Sequence, residues 1–466
     1  MSPFDGDNGL TVGIPLPGRP TARRSACRRP ALLPYYKPMD ELVVLHGGEV
    51  VTPDGVSRQD ILIEGERIAA IGLDLANAAP HARRVDVSGL AVLPGLVDVH
   101  VHLREPGGEH KEDFYTGTCA ALAGGVTTVF AMPNTSPPIT SRETFEDAAS
   151  RASARAVCDY GLYVGATPDN AGEAARLSHR AVGLKMYIGS STGDLLVDHF
   201  AAQITHFEAY PRDQVIAVHA EDEAAVRYYA ARGVRRPPIC AALATAHVLA
   251  LAEQVGRRLH ICHVSTGYEL ALIRAAKARG LDVTCEVTPH HLFMTIDEEQ
   301  RIGALVRVNP PLRAQGDVET LWAQCDVIDM VATDHAPHTL DEKQGSSPPS
   351  GMPGLETALP LLLTAAHEGR LTLPDIARWT AARPAEVFGL RRKGRIAPGF
   401  DADLALVDLG AGWTLGNEGL YTRCGWTPFA GSRVRGRIRQ VYLRGRQVFA
   451  DGRVLAQPGT GRCVAG

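Results

Sequence analysis

No two of the nine cysteines (Cys27, Cys119, Cys158, Cys240, Cys262, Cys285, Cys325, Cys424, Cys463) stand in a CxxC pair. A chain this large needs no disulfide scaffold, so a reducing, cytoplasmic setting is the natural expectation. No uninterrupted apolar run reads as long enough to span a bilayer, and the N-terminus lacks the apolar region of a signal peptide. A soluble, unexported protein follows. Charge excess is missing as well, because a formal net charge of −4 gives no electrostatic reason to expect nucleic acid or a membrane surface as partner. Small-molecule chemistry is left.

What is present is ordinary in amount, with 45% apolar and 21% charged residues, but 466 residues exceed the usual limit of one hydrophobic core. One large domain with a smaller companion is expected. Residues 1–38 differ from the rest, dense in Pro and Gly, with Arg23, Arg24, Arg28 and Arg29 and no helical or strand period. They read as a disordered extension, and Asp5 and Asp7 count against an organelle transit peptide. Met39 opens the sequence that reads as folded and is an alternative start.

From Leu42 to Val92, short β-rich runs alternate with Pro and Gly turns, and the same texture returns at 401–409 and 438–454. Residues 39–93 and 396–454 are therefore expected to form one small β-sandwich from both chain ends, followed by a tail at 455–466. Between them, at 94–395, eight apolar runs alternate with Ala-rich helical segments: 95–102, 126–134, 160–167, 182–189, 215–222, 259–265, 281–291 and 329–338. Eight βαβ units close a (β/α)8 barrel of the TIM type. An open doubly wound sheet is the competing α/β architecture. The barrel is preferred because nearly every run ends on His, Asp, Asn or Lys, and in a barrel those ends share one mouth.

Within Asp98-Val99-His100-Val101-His102, strand alternation points both histidines to one face, and imidazole is a common neutral ligand for zinc-like ions. His219 and His263 end two further runs. Alone, each is as readily a hydrogen-bonded core histidine. Asp334 ends the eighth run, where a carboxylate binds metal and shuttles a proton or merely caps a helix. Lys185 lies inside an apolar strand, where a buried ammonium is expensive and tends to lose its charge. A neutral lysine reacts with CO2 to give a carbamate that bridges two cations. The bland alternative pairs it with Glu221.

The runs GLVDVHVHLREPG (95–107), TGTCAALAGGVTTVFAMPNT (116–135), EVTPHHL (286–292), NPPLR (309–313) and ATDHAPHTLDEK (332–343) closely resemble dihydroorotases of the amidohydrolase superfamily. The resemblance runs from about Val43 to Val448. The Lys185 segment looks like the branch with a carbamylated bridging lysine, which includes the dihydroorotase domain of the animal multifunctional pyrimidine enzyme. The resemblance implies that His100, His102, Lys185 and Asp334 hold one of two divalent metals, and Lys185, His219 and His263 the second. Zinc is the first choice, with manganese or cobalt fitting the same ligands.

It also implies hydrolysis of the cyclic amide of L-dihydroorotate to N-carbamoyl-L-aspartate, reversibly, with Asp334 as proton carrier. Both compounds carry a carboxylate, which Arg104 would clamp from the mouth unless it is only a surface ion pair. Asn134 and Asn309 suit an amide or ureido group. His338 resembles a second substrate contact, and the Gly-, Ser- and Pro-rich loop 339–354 is expected over the mouth, with backbone contacts near Ser350 and Gly351. Rival readings are an allantoinase, a dihydropyrimidinase-type enzyme, or a non-catalytic partner of aspartate transcarbamoylase. A homo-oligomer or association with that transcarbamoylase is left open.

Overall fold

The structure, a computed structural model, describes residues 42–191, 193 and 195–465. The extension expected at 1–38 and the start at Met39 lie outside the described residues. Five strands come first: β1 (Leu42–Thr52), β2 (Gly55–Glu64), β3 (Arg67–Gly72), β4 (Arg83–Asp86) and β5 (Ala91–Pro94). Eight follow at the eight apolar runs: β6 (Leu96–Val101), β7 (Val126–Ala131), β8 (Asp159–Gly165), β9 (Gly183–Tyr187), β10 (Ile216–His219), β11 (Leu259–Ile261), β12 (Val283–Val287) and β13 (Met330–Val331). The chain closes with β14 (Leu404–Thr414), β15 (Arg433–Leu443), β16 (Arg446–Ala450) and β17 (Arg453–Val454).

Strands β6 to β13 pair in sequence order, all parallel. The ring shuts where Val101 bridges His335 and the His102 amide donates to the His335 carbonyl at 2.8 Å. Asp98 reinforces the seam, since its carboxylate accepts from the amides of His100 and Thr333. Every residue of β6 through β13 is buried, which is why these runs read as apolar and not as alternating. Phe388 stands edge-on to Phe130 and Tyr163 and helps fill the barrel, whose interior is packed side chains and not a pore.

The two chain ends form one mixed nine-stranded sheet, joined where β5 pairs with β14. Its two halves are hydrogen-bonded through that seam and enclose a core that includes Val43, Ile61, Ile63, Leu404 and Leu406. Lys393 ties sheet to barrel, reaching Asp159 and Asp403 at 2.6 Å each. Part of the 455–466 tail docks too, as Tyr160 exchanges backbone hydrogen bonds with Arg462 and Val464.

Two details depart from the sequence reading. Helix Pro238–Val255, with mean hydropathy 1.4 over 18 residues, is long and apolar enough to cross a membrane by composition. It is a wall helix whose inner face, including Ala241, Val248 and Ala252, is buried. The loop 339–354 contains a short helix, Leu340–Gln344, because Thr339 and Glu342 form a capping box that satisfies its first amides.

Candidate active site

All six expected metal ligands lie at or near strand ends on the barrel mouth, and all are buried. His102 Nε2 is 3.0 Å and His100 Nε2 3.4 Å from the same oxygen of Asp334. These three offer ligand atoms within 4.8 Å of one another. On the other side, His219 Nδ1 faces His263 Nε2 at 3.0 Å, and the His100 and His263 rings are 5.3 Å apart. Lys185 is fully buried, its Nζ 3.0 Å from Cys262 Sγ and 5.0 Å from the centre of the Tyr187 ring. His100, His219 and His263 are the imidazoles around it. His263 (φ 36°), Asp334 (φ 46°) and Arg104 (φ 61°) adopt left-handed backbone that side chains disfavour. Each costs on the order of 1–3 kcal/mol, and that strain is held where side chains must be aimed.

Burial pulls His102 down to about 4 and lowers His219 and, further, His263. These rings are neutral, the form that binds cations. Burial opposes charge on Asp334, yet His100 and His102 hold it well below the carboxylate range. Burial also opposes charge on His100, but Glu286 and Asp334 carry it up to about 10. His219 Nε2 and His263 Nδ1 are buried without a hydrogen-bond partner among the described residues; Glu221 lies 3.3 Å from the first, off bonding geometry. Neutral imidazoles at His102, His219 and His263, an ionised carboxylate and a buried lysine fit divalent cations, and His100 would join them by giving up its proton to the ion. They make a poor apolar core.

Arg104 is buried, not a surface ion pair. Its Nε donates to the Pro337 carbonyl at 3.1 Å, and a terminal nitrogen lies 3.2 Å from His338 Nε2. His338 Nδ1 is 3.3 Å from the Lys111 ammonium, and Nε2, beside the Arg104 guanidinium, is also 3.1 Å from the Ser350 carbonyl. Asn134 engages His102, its Oδ1 lying 2.7 Å from Nδ1, and so assigns the proton to Nδ1 and the lone pair to the Asp334 side. Asn309 is half-buried, and the Gly351 amide donates to the Arg307 carbonyl at 2.8 Å. Gly351 has φ +131°, and a Cβ there would stand 2.5 Å from the Ala336 carbonyl, so only glycine fits.

Several neighbours were not assigned from the sequence. Glu286 contacts His100 Nδ1 and reaches His260 Nε2 at 3.0 Å, orienting the first ligand. With Cys262 and His100 it forms a second group of close ligand atoms. Glu221 does not pair with Lys185; the Arg236 guanidinium holds it beside His219. His290 is buried, held down to about 4 by burial, with Nε2 unpartnered among the described residues and the Asp334 and His100 charges bearing on it. The motif EVTPHHL carried both Glu286 and His290, but nothing local to it reveals their partners.

The sequence profile of the Amidohydrolase family matches residues 91–448. The chain belongs to the amidohydrolase family. This amidohydrolase is 42% identical over 399 residues to a dihydroorotase of Halobacterium salinarum, covering 82% of this chain and 91% of that one. It is 44% identical over 400 residues to the multifunctional protein CAD of Squalus acanthias, covering 86% of this chain but 17% of that protein. An allantoinase of Deinococcus radiodurans is 38% identical over 442 residues, with 89% and 97% covered. Among solved structures, the L-hydantoinase (dihydropyrimidinase) of Arthrobacter aurescens superposes with a TM-score of 0.87 at 31% identity, covering 92% of this chain and all of that one. The barrel and the resemblance to dihydroorotases both stand.

Proposed function

We propose that this amidohydrolase is a dihydroorotase, interconverting L-dihydroorotate and N-carbamoyl-L-aspartate in pyrimidine synthesis. It is a metal-dependent enzyme of cyclic amides, and the observation that selects this substrate is Arg104, a buried guanidinium at the mouth beside Asp334 and His338. Burial lowers it to about 10, so it remains a cation at neutral pH. A buried cation there calls for an anionic substrate, and dihydroorotate carries a carboxylate that allantoin and dihydrouracil lack.

His100, His102 and Asp334 would hold one divalent cation, His219 and His263 a second, and a carbamate on Lys185 would bridge them. When bound, such cations supply Lewis acidity and water of lowered pKa, with zinc the first choice. The chain does the rest. Arg104 and His338 grip the substrate carboxylate, while Asn134, Asn309, Ser350 and Gly351 fix the ring amides. Asp334 takes the attacking water's proton at its carboxylate and returns it to the ring nitrogen as the amide opens.

Dihydroorotases 36% to 42% identical over most of their length support the assignment. The multifunctional relatives, of which this chain spans 17% and 16%, support a second reading of context: association with aspartate transcarbamoylase, or with another copy of the chain. Eight unpaired cysteines among the described residues fit a cytoplasmic location. Metal-replete protein supplied with either compound should reach the same mixture of both. Failure to interconvert them contradicts the assignment.

A further inference from the structure

Lys343 is 1% exposed, and its Nζ donates to three backbone carbonyls: Arg307 at 3.1 Å, Pro349 at 3.0 Å and Gly351 at 2.8 Å. An ammonium has three N–H groups, so each finds one acceptor and no carboxylate is needed. The three carbonyls come from two separate segments. Arg307 precedes Asn309 by two residues, and Pro349 and Gly351 flank Ser350, whose own carbonyl lies 3.1 Å from His338 Nε2. The Gly351 amide closes the join by donating to Arg307, and the Ala336 amide donates to the Met352 carbonyl at 2.9 Å, just beyond Asp334. The Thr339 cap on helix Leu340–Gln344 turns Lys343 inward to this point, while Glu342 meets Lys111 at 3.0 Å.

We propose that Lys343 is a positioning residue for substrate: its ammonium draws the Arg307–Asn309 and Pro349–Gly351 segments to one point and so sets the spacing of Asn309 and Ser350 across the mouth. The inference rests on the assignment of those two residues to substrate. Lys343 itself touches neither the metal ligands nor Arg104 among the described contacts. Replacing the ammonium by an apolar end leaves the Pro349 and Gly351 carbonyls without this donor and Arg307 with the Gly351 amide alone, and the two segments loosen or admit water. The metal ligands stay where they are.

Lys343→Met in the full-length, metal-replete protein tests this, read by steady-state kinetics, metal content and amide hydrogen exchange over 345–353. The expected result is a KM for dihydroorotate raised at least tenfold with kcat changed less, metal content unchanged, and exchange at Gly351 at least tenfold faster. A merely structural role would reduce the active fraction, lowering apparent kcat and leaving KM alone. Unaltered KM together with unaltered exchange overturns the proposal, and so does loss of metal in step with activity. Should Lys343→Met fail to fold, Lys343→Gln keeps two donors for the three carbonyls, and its KM and exchange should move in the same direction by less. Wild-type protein inactive on dihydroorotate would overturn the dihydroorotase assignment, while exchange at Gly351 would still decide whether Lys343 joins the two segments.

Discussion

Lys185 donates from Nζ to Cys262 Sγ at 3.0 Å, and no carboxylate pairs with this fully buried lysine among the described residues. An amine so placed gains by becoming a carbamate, an anion among imidazoles and cations. Lys185→Ala should lose most of the bound metal and nearly all activity. Short carboxylic acids added to the variant should restore part of both, whereas Lys185→Arg should recover neither, because guanidinium cannot form a carbamate. Metal analysis and density on Nζ are the checks. Two metals around an unmodified lysine would refute the bridge and spare the hydrolase.

Arg104→Met removes the buried cation without touching a ligand. Dihydroorotate turnover should fall by at least about two orders of magnitude, since a charge-assisted pair is lost in a water-poor site. Metal content should hold. Wild-type kcat/KM in this variant would move a carboxylate-free substrate to first place.

Arg236 holds the Glu221 carboxylate 3.3 Å from His219 and also donates to Ser190, so it keeps a negative charge beside a candidate ligand. Arg236→Met should weaken metal binding by about 10- to 100-fold, measured by competition with a chelator. Metal affinity equal to wild type would rule this support out.

Glu356 lies away from the metal ligands, accepts from the amides of Tyr421 and Thr422, and is raised to about 7 by burial, with Glu112 adding to the shift. The folded protein therefore binds this proton more tightly than the unfolded chain. Its contribution is intact below the unfolded value near 4.5, falls as pH rises toward about 7, and is flat above. Each pH unit in that window costs at most about 1.4 kcal/mol. Glu356→Gln should gain stability relative to wild type between pH 5 and 7 in denaturant titrations, on the order of 2 kcal/mol. A pH-independent difference would contradict the shift.

The barrel and the cluster of candidate ligands at its mouth were legible because both are written locally. Each buried parallel strand is an unbroken apolar run, and a polar residue at its end has few reasons to be there except the mouth. His100 and His102 needed only strand alternation. Glu286 and Lys343 were not legible, since their meaning lies in partners far along the chain: Glu286 meets His100 across 186 residues, and Lys343 meets Arg307 across 36. A lysine in a Gly-, Ser- and Pro-rich segment reads as solvated until three carbonyls are seen around it. The bland alternative, Glu221 as the partner of Lys185, falls because Arg236, supplied by a loop beyond β10, takes that carboxylate.

The most direct test is steady-state turnover of L-dihydroorotate, allantoin and dihydrouracil by one metal-replete sample. Arg104, buried at the mouth, predicts a kcat/KM for dihydroorotate at least about a hundredfold above the other two. Equal or greater activity toward allantoin or dihydrouracil would contradict it.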